Sequence, residues 1–384
     1  MTSSATGITV GVVGGGQLGR MLGEAAAPLG INVVVSDPTP ECPASPVVDE
    51  QLVGAFDDEA TVRALAERVD VLTYEIELAD PDALARISEV TGTPVHPDPA
   101  TLRSIQDKLV QNELYETAGI PTPAFEPVSG LEELAVAGET LGWPLMLKAR
   151  TGGYDGRGNL PVESIDEGAE ALAALGDRPA VAEAMVPFDR ELAVIGCRGV
   201  DGIATFPVTE TIQRAEILRE AVSPARTTDA VIDAAESVAR AVLDALDGRG
   251  VYGIELFEVD GEILVNEVAP RPHNSGHWTI EGCDVSQFQQ HLRAVCGLPL
   301  GSTRRRAPTA SANLLGDGDP RPARLESLAG ALSEPRVALH WYGKAEVRPL
   351  RKMGHLTMTG ADAEADTEQL LERVRAATAG LRWT

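Results

Sequence analysis

The chain has 384 residues, a mean hydropathy of −0.04 and a formal net charge of −26 at pH 7. This length accommodates two or three domains. The strong negative charge argues against nucleic acid or a membrane surface as a partner, because both are polyanions. No apolar run approaches the roughly 18 residues of a membrane-spanning helix. The N-terminal stretch MTSSATGITVGVVGGG has no basic targeting segment, so we expect a cytoplasmic protein.

The first predicted elements form a βαβ unit. Residues 8–13 are predicted to be a strand, the turn GGGQLG at 14–19 opens a helix, and residues 31–35 form the next strand. Glycines in such a turn let backbone amides at a helix N-terminus approach a phosphate or a polar ligand. Asp37 lies about 20 residues beyond the glycines, which leaves a nicotinamide-dependent dehydrogenase open as an alternative.

The pattern of predicted helices and strands divides the rest of the chain into three stretches. Helix and strand alternate up to an interruption at 95–100, which is followed by a long predicted helix at 102–118. The second stretch contains helices at 131–141 and 164–175 and strands at 144–148 and 180–184. Strands dominate from Glu191, and we predict helices at 229–246 and 285–295, a linker at 297–306, strands near 311–315, 337–341 and 355–358, and a terminal helix at 363–377.

Two predicted strands joined at Asp260-Gly261 carry a pair of glutamates, Glu255 and Glu267. A two-residue turn would place them on opposite faces of the hairpin, whereas a three-residue turn that begins at Val259 places both on one face. We predict the three-residue turn. Two converging carboxylates repel each other unless a cation lies between them, and oxygen ligands of this kind suit Mg²⁺ or Mn²⁺ rather than zinc.

Lys148 ends a predicted buried strand and precedes a glycine-rich loop, TGGYDGRGN, at 151–159. A lysine in this position can direct its ammonium at a triphosphate while the loop folds over it as a lid. The segment EAMV at 183–186 is typical of a hinge whose backbone binds an adenine edge, and Glu191 could accept hydrogen bonds from ribose hydroxyls. Together with the glutamate pair, these residues predict a nucleotide held between two sheets with a metal at its phosphates.

The loop after Glu267 concentrates polar side chains, and a basic cluster lies farther on. Within seven residues the loop supplies a cation, hydrogen-bond donors and possible bases, which indicates a second ligand beside the metal pair. The basic cluster would suit a phosphate monoester, although a solvated basic turn is the structural alternative. The loop residues are Arg271, His273, Asn274, Ser275 and His277, and the basic cluster is Lys344, Arg348, Arg351 and Lys352.

Several motifs in chain order resemble the N5-carboxyaminoimidazole ribonucleotide synthetase family of ATP-grasp enzymes. They are GGGQLGRML, TYEIE, GIPTP, KARTGGYDGRGN, ILRE, NEVAPRPHNSGHWT, NLLG and HWYGKAEVRPLRKMGH. The resemblance implies an α/β and α+β fold with a Rossmann-like domain at 1–100, an ATP-grasp domain at 101–300 whose lid subdomain is about 121–187, and a small β-rich domain at 301–384, usually in a homodimer. The implied reaction uses ATP and bicarbonate to carboxylate the exocyclic amine of 5-aminoimidazole ribonucleotide through carboxyphosphate, in de novo purine biosynthesis.

The resemblance also implies site residues, transferred motif by motif. ATP contacts fall on Lys108, Lys148, Gly153, Tyr154, Asp155, Gly156, Arg157, Gly158, Asn159, Glu183, Ala184, Met185, Val186, Glu191, Gln213, Asn266 and Glu267, with Mg²⁺ or Mn²⁺ on Glu255 and Glu267. Aminoimidazole ribonucleotide contacts fall on Gln17, Leu18, Glu75, Tyr154, Arg157, Arg271, His273, Asn274, Ser275, Lys344, Arg351 and Lys352. Catalytic roles are expected for Lys148, which would neutralise the transferring phosphoryl group, for Arg271, which would hold bicarbonate, and for His273, a candidate base or orienting group.

Two departures from the family pattern affect the details of ATP binding. Gln213 stands where many members carry histidine, and Lys108 where some carry arginine. A related ATP-grasp enzyme, the formate-dependent glycinamide ribonucleotide transformylase, is a further alternative, but it has an aspartate where Asn274 stands. A cationic glycinamide amine favours a carboxylate partner, whereas the neutral aminoimidazole amine matches an amide. Asn274 and Trp278 therefore favour the carboxylating family.

Overall fold

The N-terminal part of the chain is a parallel sheet with helices packed on it. The structure, a computed structural model, describes residues 7–153, 158–176 and 178–384. Four strands in the order β3-β2-β1-β4 make the sheet, and the valines of β1, β2 and β4 form its buried layer. The elements are β1 (Thr9–Val13), α1 (Gln17–Ala26), β2 (Asn32–Asp37), β3 (Glu50–Val53), α2 (Glu59–Ala66), β4 (Val71–Tyr74) and α3 (Pro81–Thr91), with 3-10 turns at Ala27–Leu29 and Ser45–Val47. The predicted βαβ unit is confirmed.

The predicted long helix at 102–118 is wrong, because Asp107 divides it into α4 (Pro99–Gln106) and α5 (Lys108–Thr117). The backbone at Asp107 is extended, and its carboxylate accepts hydrogen bonds from the amides of Leu109 and Val110, which caps the second helix. Arg150 donates to both oxygens of the same carboxylate, at 2.9 and 2.6 Å. The break places Lys108 at the first position of α5, facing the central cavity described below.

A small antiparallel sheet follows, with strand order β5-β8-β6-β7 among the described residues. Alanines, leucines and valines from this sheet and from its two helices form a separate core. The elements are β5 (Phe125–Val128), α6 (Leu131–Leu141), β6 (Leu145–Ala149), β7 (Asn159–Val162), α7 (Ile165–Ala174) and β8 (Ala180–Ala184). The loop from β6 to β7 includes residues 154–157, which lie outside the described part of the chain.

The third sheet runs from the centre of the molecule into its C-terminal part. In the described chain its order is β14-β13-β9-β11-β12-β15-β20-β18, and β10 pairs with β9. Its first elements are β9 (Arg190–Gly199), β10 (Gly202–Thr205), β11 (Thr209–Arg214), β12 (Ile217–Ser223), α8 (Asp229–Leu246), β13 (Gly250–Val259) and β14 (Glu262–Ala269). Helix α8 buries its apolar face against β9, β13 and β14, which forms the largest core.

Three C-terminal strands, β15, β20 and β18, continue this sheet, because Ala221 of β12 pairs with Ser311 of β15, whereas β16 pairs with β19 and β17 with β21. After a 3-10 turn at Asn274–Gly276 come α9 (Thr279–Gly282), α10 (Gln287–Val295), β15 (Thr309–Leu315), β16 (Arg321–Pro322), β17 (Leu325–Glu326), α11 (Leu328–Ala331), β18 (Val337–Trp341), β19 (Glu346–Val347), β20 (Lys352–Thr359), α12 (Thr367–Ala379) and β21 (Arg382–Trp383). The proposed domain boundaries stay predictions. None of the helices in the described residues has the length and apolarity needed to cross a bilayer.

Candidate active site

A cavity of about 770 Å³ lies where the three sheets meet. Most of the predicted site residues line it: Gln17, Leu18, Glu75, Lys108, Lys148, Gly153, Asn159, Glu183, Ala184, Met185, Val186, Glu191, Gln213, Glu255, Asn266, Glu267, Arg271, His273, Asn274 and Lys352. Five predicted residues are not part of the lining, namely Gly158, Ser275, Lys344, Arg348 and Arg351. Four more lie outside the described residues, namely Tyr154, Asp155, Gly156 and Arg157.

The glutamate pair lies on the β13–β14 hairpin, where the predicted turn is wrong. Val259 pairs with Glu262, so the turn has two residues, Asp260 and Gly261, both with positive φ. A β-bulge farther along the hairpin nevertheless brings the two glutamates to the same face. Leu256 pairs with Val265 and Glu255 with Glu267, which leaves Asn266 as the extra residue. Because directly opposed residues share a face of a sheet, the two carboxylates lie on the same face.

The surroundings of the pair give the two carboxyl groups different proton affinities. Burial, with the neighbouring charges of Glu267 and Glu191, raises the pKa of Glu255 to about 8. Burial acts in the same direction on Glu267, but the Lys108 ammonium, 2.6 Å from its Oε1, outweighs it and lowers the pKa of Glu267 to about 2. At neutral pH the two carboxyl groups therefore share one proton, which lies on Glu255. The ionised Glu267 opposes a second negative charge beside it.

This donor set fits a divalent metal bound together with a phosphate chain. Among the described residues there is no group of three or more histidine, cysteine, aspartate or glutamate side chains that could enclose an ion. Two carboxylates alone leave most of the coordination shell to other oxygens, which is how Mg²⁺ is held when a nucleotide supplies the remaining ligands. The charge of Glu267, acting together with burial, raises the pKa of Glu255, and a bound cation would offset both effects.

Lys148, near the end of β6, is fixed by two polar contacts, and a third contact holds its partner Glu183. Its ammonium lies 2.6 Å from Glu183, and the two side chains are 8% and 6% exposed. It also donates to Asn266 Oδ1 at 3.3 Å, so the bulge residue joins the lysine to the glutamate pair. Asn112 holds Glu183 from the other side through a 3.0 Å hydrogen bond. These contacts point a cation at the cavity in a set orientation.

The other end of this half of the cavity is apolar, and sequence reasoning missed its main feature. Phe188 and Phe257 stack with ring centroids 4.8 Å apart, and both line the cavity next to the 183–186 segment. Phe257 lies two residues beyond Glu255 on the same strand, so the alternation of side chains could have identified it. Phe188 carries no comparable signal. Burial raises the pKa of Glu191 nearby to about 7.

The loop from Arg271 to His277 lines the other half of the cavity. Arg271 forms an ion pair with Glu77 at 3.0 Å, a partner that sequence reasoning missed although Glu77 lies two residues after Glu75. His273 Nε2 is 3.8 Å from Glu255 Oε1, and its Nδ1 is 2.9 Å from Ser275 Oγ. Ser275 is fully buried, so it orients His273 and does not reach the cavity.

Asn274 and the basic cluster complete this half. Asn274 Nδ2 is buried and has no hydrogen-bond partner in the described part of the chain, yet the residue lines the cavity. Of the three predicted basic ligands, Lys352 at the start of β20 lines the cavity. Arg351 donates to the Glu346 carbonyl at 2.8 Å, and the Lys344 ammonium lies 5.8 Å from the centre of the Tyr342 ring.

The glycine turn before α1 is filled by the protein's own carboxylates. Glu75 accepts hydrogen bonds from the amides of Gly16 and Gly19, the latter at 2.8 Å. Asp37 accepts from the amides of Gly15, at 3.0 Å, and Thr39, at 2.8 Å. A bound dinucleotide would need those amides for its pyrophosphate and Asp37 for its ribose. The dehydrogenase alternative is therefore wrong, because both sets of groups are already engaged.

Three family models match consecutive parts of the chain. The ribonucleotide synthetase preATP-grasp domain matches residues 8–106, and the ATP-grasp domain matches residues 113–288. The phosphoribosylaminoimidazole carboxylase C-terminal domain matches residues 309–369. These matches agree with the mixed α/β architecture.

Whole-chain comparisons give the same result. The N5-carboxyaminoimidazole ribonucleotide synthase of Synechococcus elongatus is 41% identical over 364 residues, which cover 94% of this chain and 92% of the relative. The synthetase structure from Thermotoga maritima has a TM-score of 0.88 and 40% identity, covering 98% of this chain and 99% of that one. The Aspergillus clavatus synthase, solved with ADP and 5-aminoimidazole ribonucleotide, has a TM-score of 0.89 and 39% identity, again with 98% and 99% covered.

Proposed function

The chain belongs to the N5-carboxyaminoimidazole ribonucleotide synthase family of ATP-grasp enzymes, and from this premise we propose how its residues divide the reaction between them. The reaction is the ATP-dependent carboxylation of 5-aminoimidazole ribonucleotide in purine biosynthesis, and the enzyme is an ADP-forming ligase. One observation supports this division of roles between the two halves of the cavity. A single cavity joins the Lys148 and Glu255–Glu267 half to the half lined by Arg271, Asn274 and Lys352.

The first half binds ATP. The adenine lies between the 183–186 backbone and the Phe188–Phe257 pair, and Glu191 accepts from the ribose hydroxyls. The phosphates extend toward Lys148, which is paired with Glu183, and toward Lys108, which is 2.6 Å from Glu267. Glu255 and Glu267, with oxygens of the phosphates, would hold Mg²⁺ or Mn²⁺, which supplies charge neutralisation at the transferring phosphoryl group.

The second half binds the acceptors. Bicarbonate attacks the γ-phosphorus of ATP, so that an oxygen–phosphorus bond forms and the bond to ADP breaks, giving carboxyphosphate. The exocyclic amine of the ribonucleotide then attacks the carboxyl carbon, phosphate leaves and the amine loses a proton. Arg271, held by Glu77, neutralises the bicarbonate and the acyl phosphate. The Asn274 Nδ2 group, which has no hydrogen-bond partner in the described chain, meets the neutral amine or a carboxyl oxygen.

The remaining assignments concern the ribonucleotide phosphate and the assembly. Lys352 neutralises the phosphate monoester, with Arg351 and Lys344 as further cations near it. His273 is held by Ser275 with Nε2 toward Glu255, so it orients the metal-binding carboxylate more readily than it serves as a base for the amine. We also propose a cytoplasmic homodimer, in keeping with the family resemblance.

Phosphate release from ATP tests the substrate assignment directly. Purified protein is assayed with bicarbonate and 5-aminoimidazole ribonucleotide, and in parallel with formate and glycinamide ribonucleotide. We expect stoichiometric ADP and phosphate in the first mixture and background in the second, with EDTA abolishing turnover. Turnover driven by glycinamide ribonucleotide and formate, without turnover on aminoimidazole ribonucleotide, would overturn the proposal.

A further inference from the structure

Gln287, the first residue of α10, is fully buried and holds the backbone of the loop that lines the acceptor half of the cavity. Its Oε1 accepts from the amide of His273 at 2.9 Å, and its Nε2 donates to the carbonyl of the same residue at 2.7 Å. A backbone N–H can pair only with the amide oxygen, and a carbonyl only with the amide nitrogen. These two contacts therefore fix which way round the Gln287 amide lies.

The fixed amide determines the tautomer of a second histidine. The Gln287 Nε2 group has one more hydrogen, and it is 3.0 Å from Nδ1 of His277. A donor directed at Nδ1 requires that nitrogen to be an acceptor, so the proton of the neutral imidazole must be on Nε2. Thr279 supports the arrangement, because its hydroxyl accepts from the backbone N–H of Gln287 at 3.0 Å and donates to the Gly276 carbonyl at 2.6 Å.

The surroundings of His277 keep the ring neutral. The ring packs against Phe288, Tyr342 and His355, with centroid distances of 5.6, 6.2 and 5.0 Å. Burial lowers the pKa of His277 well below its usual value, and His273, His340, Lys352 and Arg271 act in the same direction. His355, which packs against the ring, also has a pKa well below its usual value because it is buried. The neighbouring charges of Arg271 and Lys352 are positive, so they oppose a further cation.

His277 lines the acceptor half of the cavity, and across the described residues its Nε2 makes no hydrogen bond. The neutral N–H of His277 thus lies near the cations Arg271 and Lys352. It also lies near Asn274, whose Nδ2 has no hydrogen-bond partner among the described residues. This set contains donors and positive charges, which suits a ligand that presents several oxygen acceptors. Bicarbonate, carboxyphosphate and the carbamate product all present such oxygens at the carboxyl carbon.

We propose that His277 donates a hydrogen bond from Nε2 to an oxygen of the carboxyl group during its transfer, and that Gln287 is the positioning residue that holds His277 in this tautomer. The inference rests on the proposed function and deepens it. Because Nδ1 is engaged by Gln287 and Nε2 carries the proton, His277 has no free lone pair toward the cavity and cannot be the base that takes the amine proton. Its role is electrostatic stabilisation of the carboxyl oxygen.

The tautomer can be read by nitrogen NMR of the protein labelled with ¹⁵N-histidine, since the chain has six histidines. We expect His277, assigned by its absence from the His277→Phe spectrum, to show an unprotonated Nδ1 and a protonated Nε2 between pH 6 and 8. Gln287→Leu should abolish this fixed pattern and give averaging between the two neutral tautomers. A protonated Nδ1 in the unaltered protein would overturn the proposal.

Steady-state kinetics test the donor itself. His277→Phe keeps a flat ring and removes the N–H, and we expect kcat/KM for bicarbonate to fall about 10- to 100-fold while KM for ATP stays within about twofold. The matched control is His355→Phe, an equally buried histidine that is absent from the cavity lining. Equal losses in the two variants, or no loss in His277→Phe, would overturn the proposal. Absence of turnover in the unaltered enzyme would contradict the proposed function instead, and the spectra would still decide the tautomer.

Discussion

At the residue scale, the two glutamates of the hairpin are chemically unequal although they pair across the strands. Glu267 is ionised because Lys108 is 2.6 Å away, whereas Glu255, next to it, keeps its proton up to about pH 8. The motif could predict both residues as ligands. It could not predict this difference, because Lys108 lies 159 positions before Glu267 and only the folded chain brings them together.

Replacing Glu267 by glutamine should abolish ATP turnover. The change keeps the shape of the side chain, but it removes the negative charge that pairs with Lys108 and would bind the metal. We expect ADP formation to fall by about 100-fold or more. The control is Glu262→Gln, an exposed position on the same strand, which should retain full activity. Normal turnover in Glu267→Gln would exclude the pair as the metal site.

At the element scale, the two structural predictions that failed were both local irregularities. The hairpin has a two-residue turn, and the glutamates share a face because Asn266 forms a bulge. The helix predicted at 102–118 breaks at Asp107, which binds Arg150. Hydrophobic periodicity predicts whether a segment is a helix or a strand. It does not show where an extra residue interrupts the hydrogen bonding between two strands, or where an aspartate that binds a distant arginine ends one helix and caps the next. Most other elements matched within a few residues, and α6, β8, α8 and β18 matched at both ends.

The glycine turn before α1 offers a stability test. Gly14 has φ of +110°, and a Cβ there would overlap the side chain of Glu75. We expect Gly14→Ala to lower the free energy of unfolding by about 1 kcal/mol for the backbone strain and by a further 1–3 kcal/mol or so for overpacking. Gly30→Ala is the matched control, since its φ is also positive, at +64°, and a Cβ added there would meet no atom within 4 Å beyond its chain neighbours. Urea denaturation compares the two, and equal destabilisation would contradict the packing of Glu75 against the turn.

At the scale of the whole molecule, one buried histidine joins two of the sheets. His291 Nε2 is 2.8 Å from Thr73 Oγ1 in β4, and its Nδ1 accepts from the amide of Val251 in β13 at 3.1 Å. Burial lowers the pKa of His291 to about 3. The sequence carried no signal for this role, because the partners come from both of the first two matched domains.

The protonation of His291 makes stability depend on pH in a defined direction. The unfolded chain binds a proton near pH 6.5, and the folded chain does not until about pH 3. The stabilisation is therefore complete above about pH 6.5 and falls by about 1.4 kcal/mol per pH unit as the pH decreases through this window. We expect His291→Gln to show a shallower decline than the unaltered protein in urea titrations from pH 7 to 5. The two curves should run parallel from pH 7 to 8, and parallel curves below pH 6 would contradict the assignment.

The central claim is that one cavity couples ATP cleavage to carboxyl transfer through carboxyphosphate. Bicarbonate labelled with ¹⁸O tests it, because the oxygen that attacks the γ-phosphorus stays on phosphorus when phosphate leaves. With 5-aminoimidazole ribonucleotide present, we predict one ¹⁸O atom in each phosphate released and one carboxylated product for each ADP. Phosphate free of ¹⁸O, released at the same rate as product, would contradict the account.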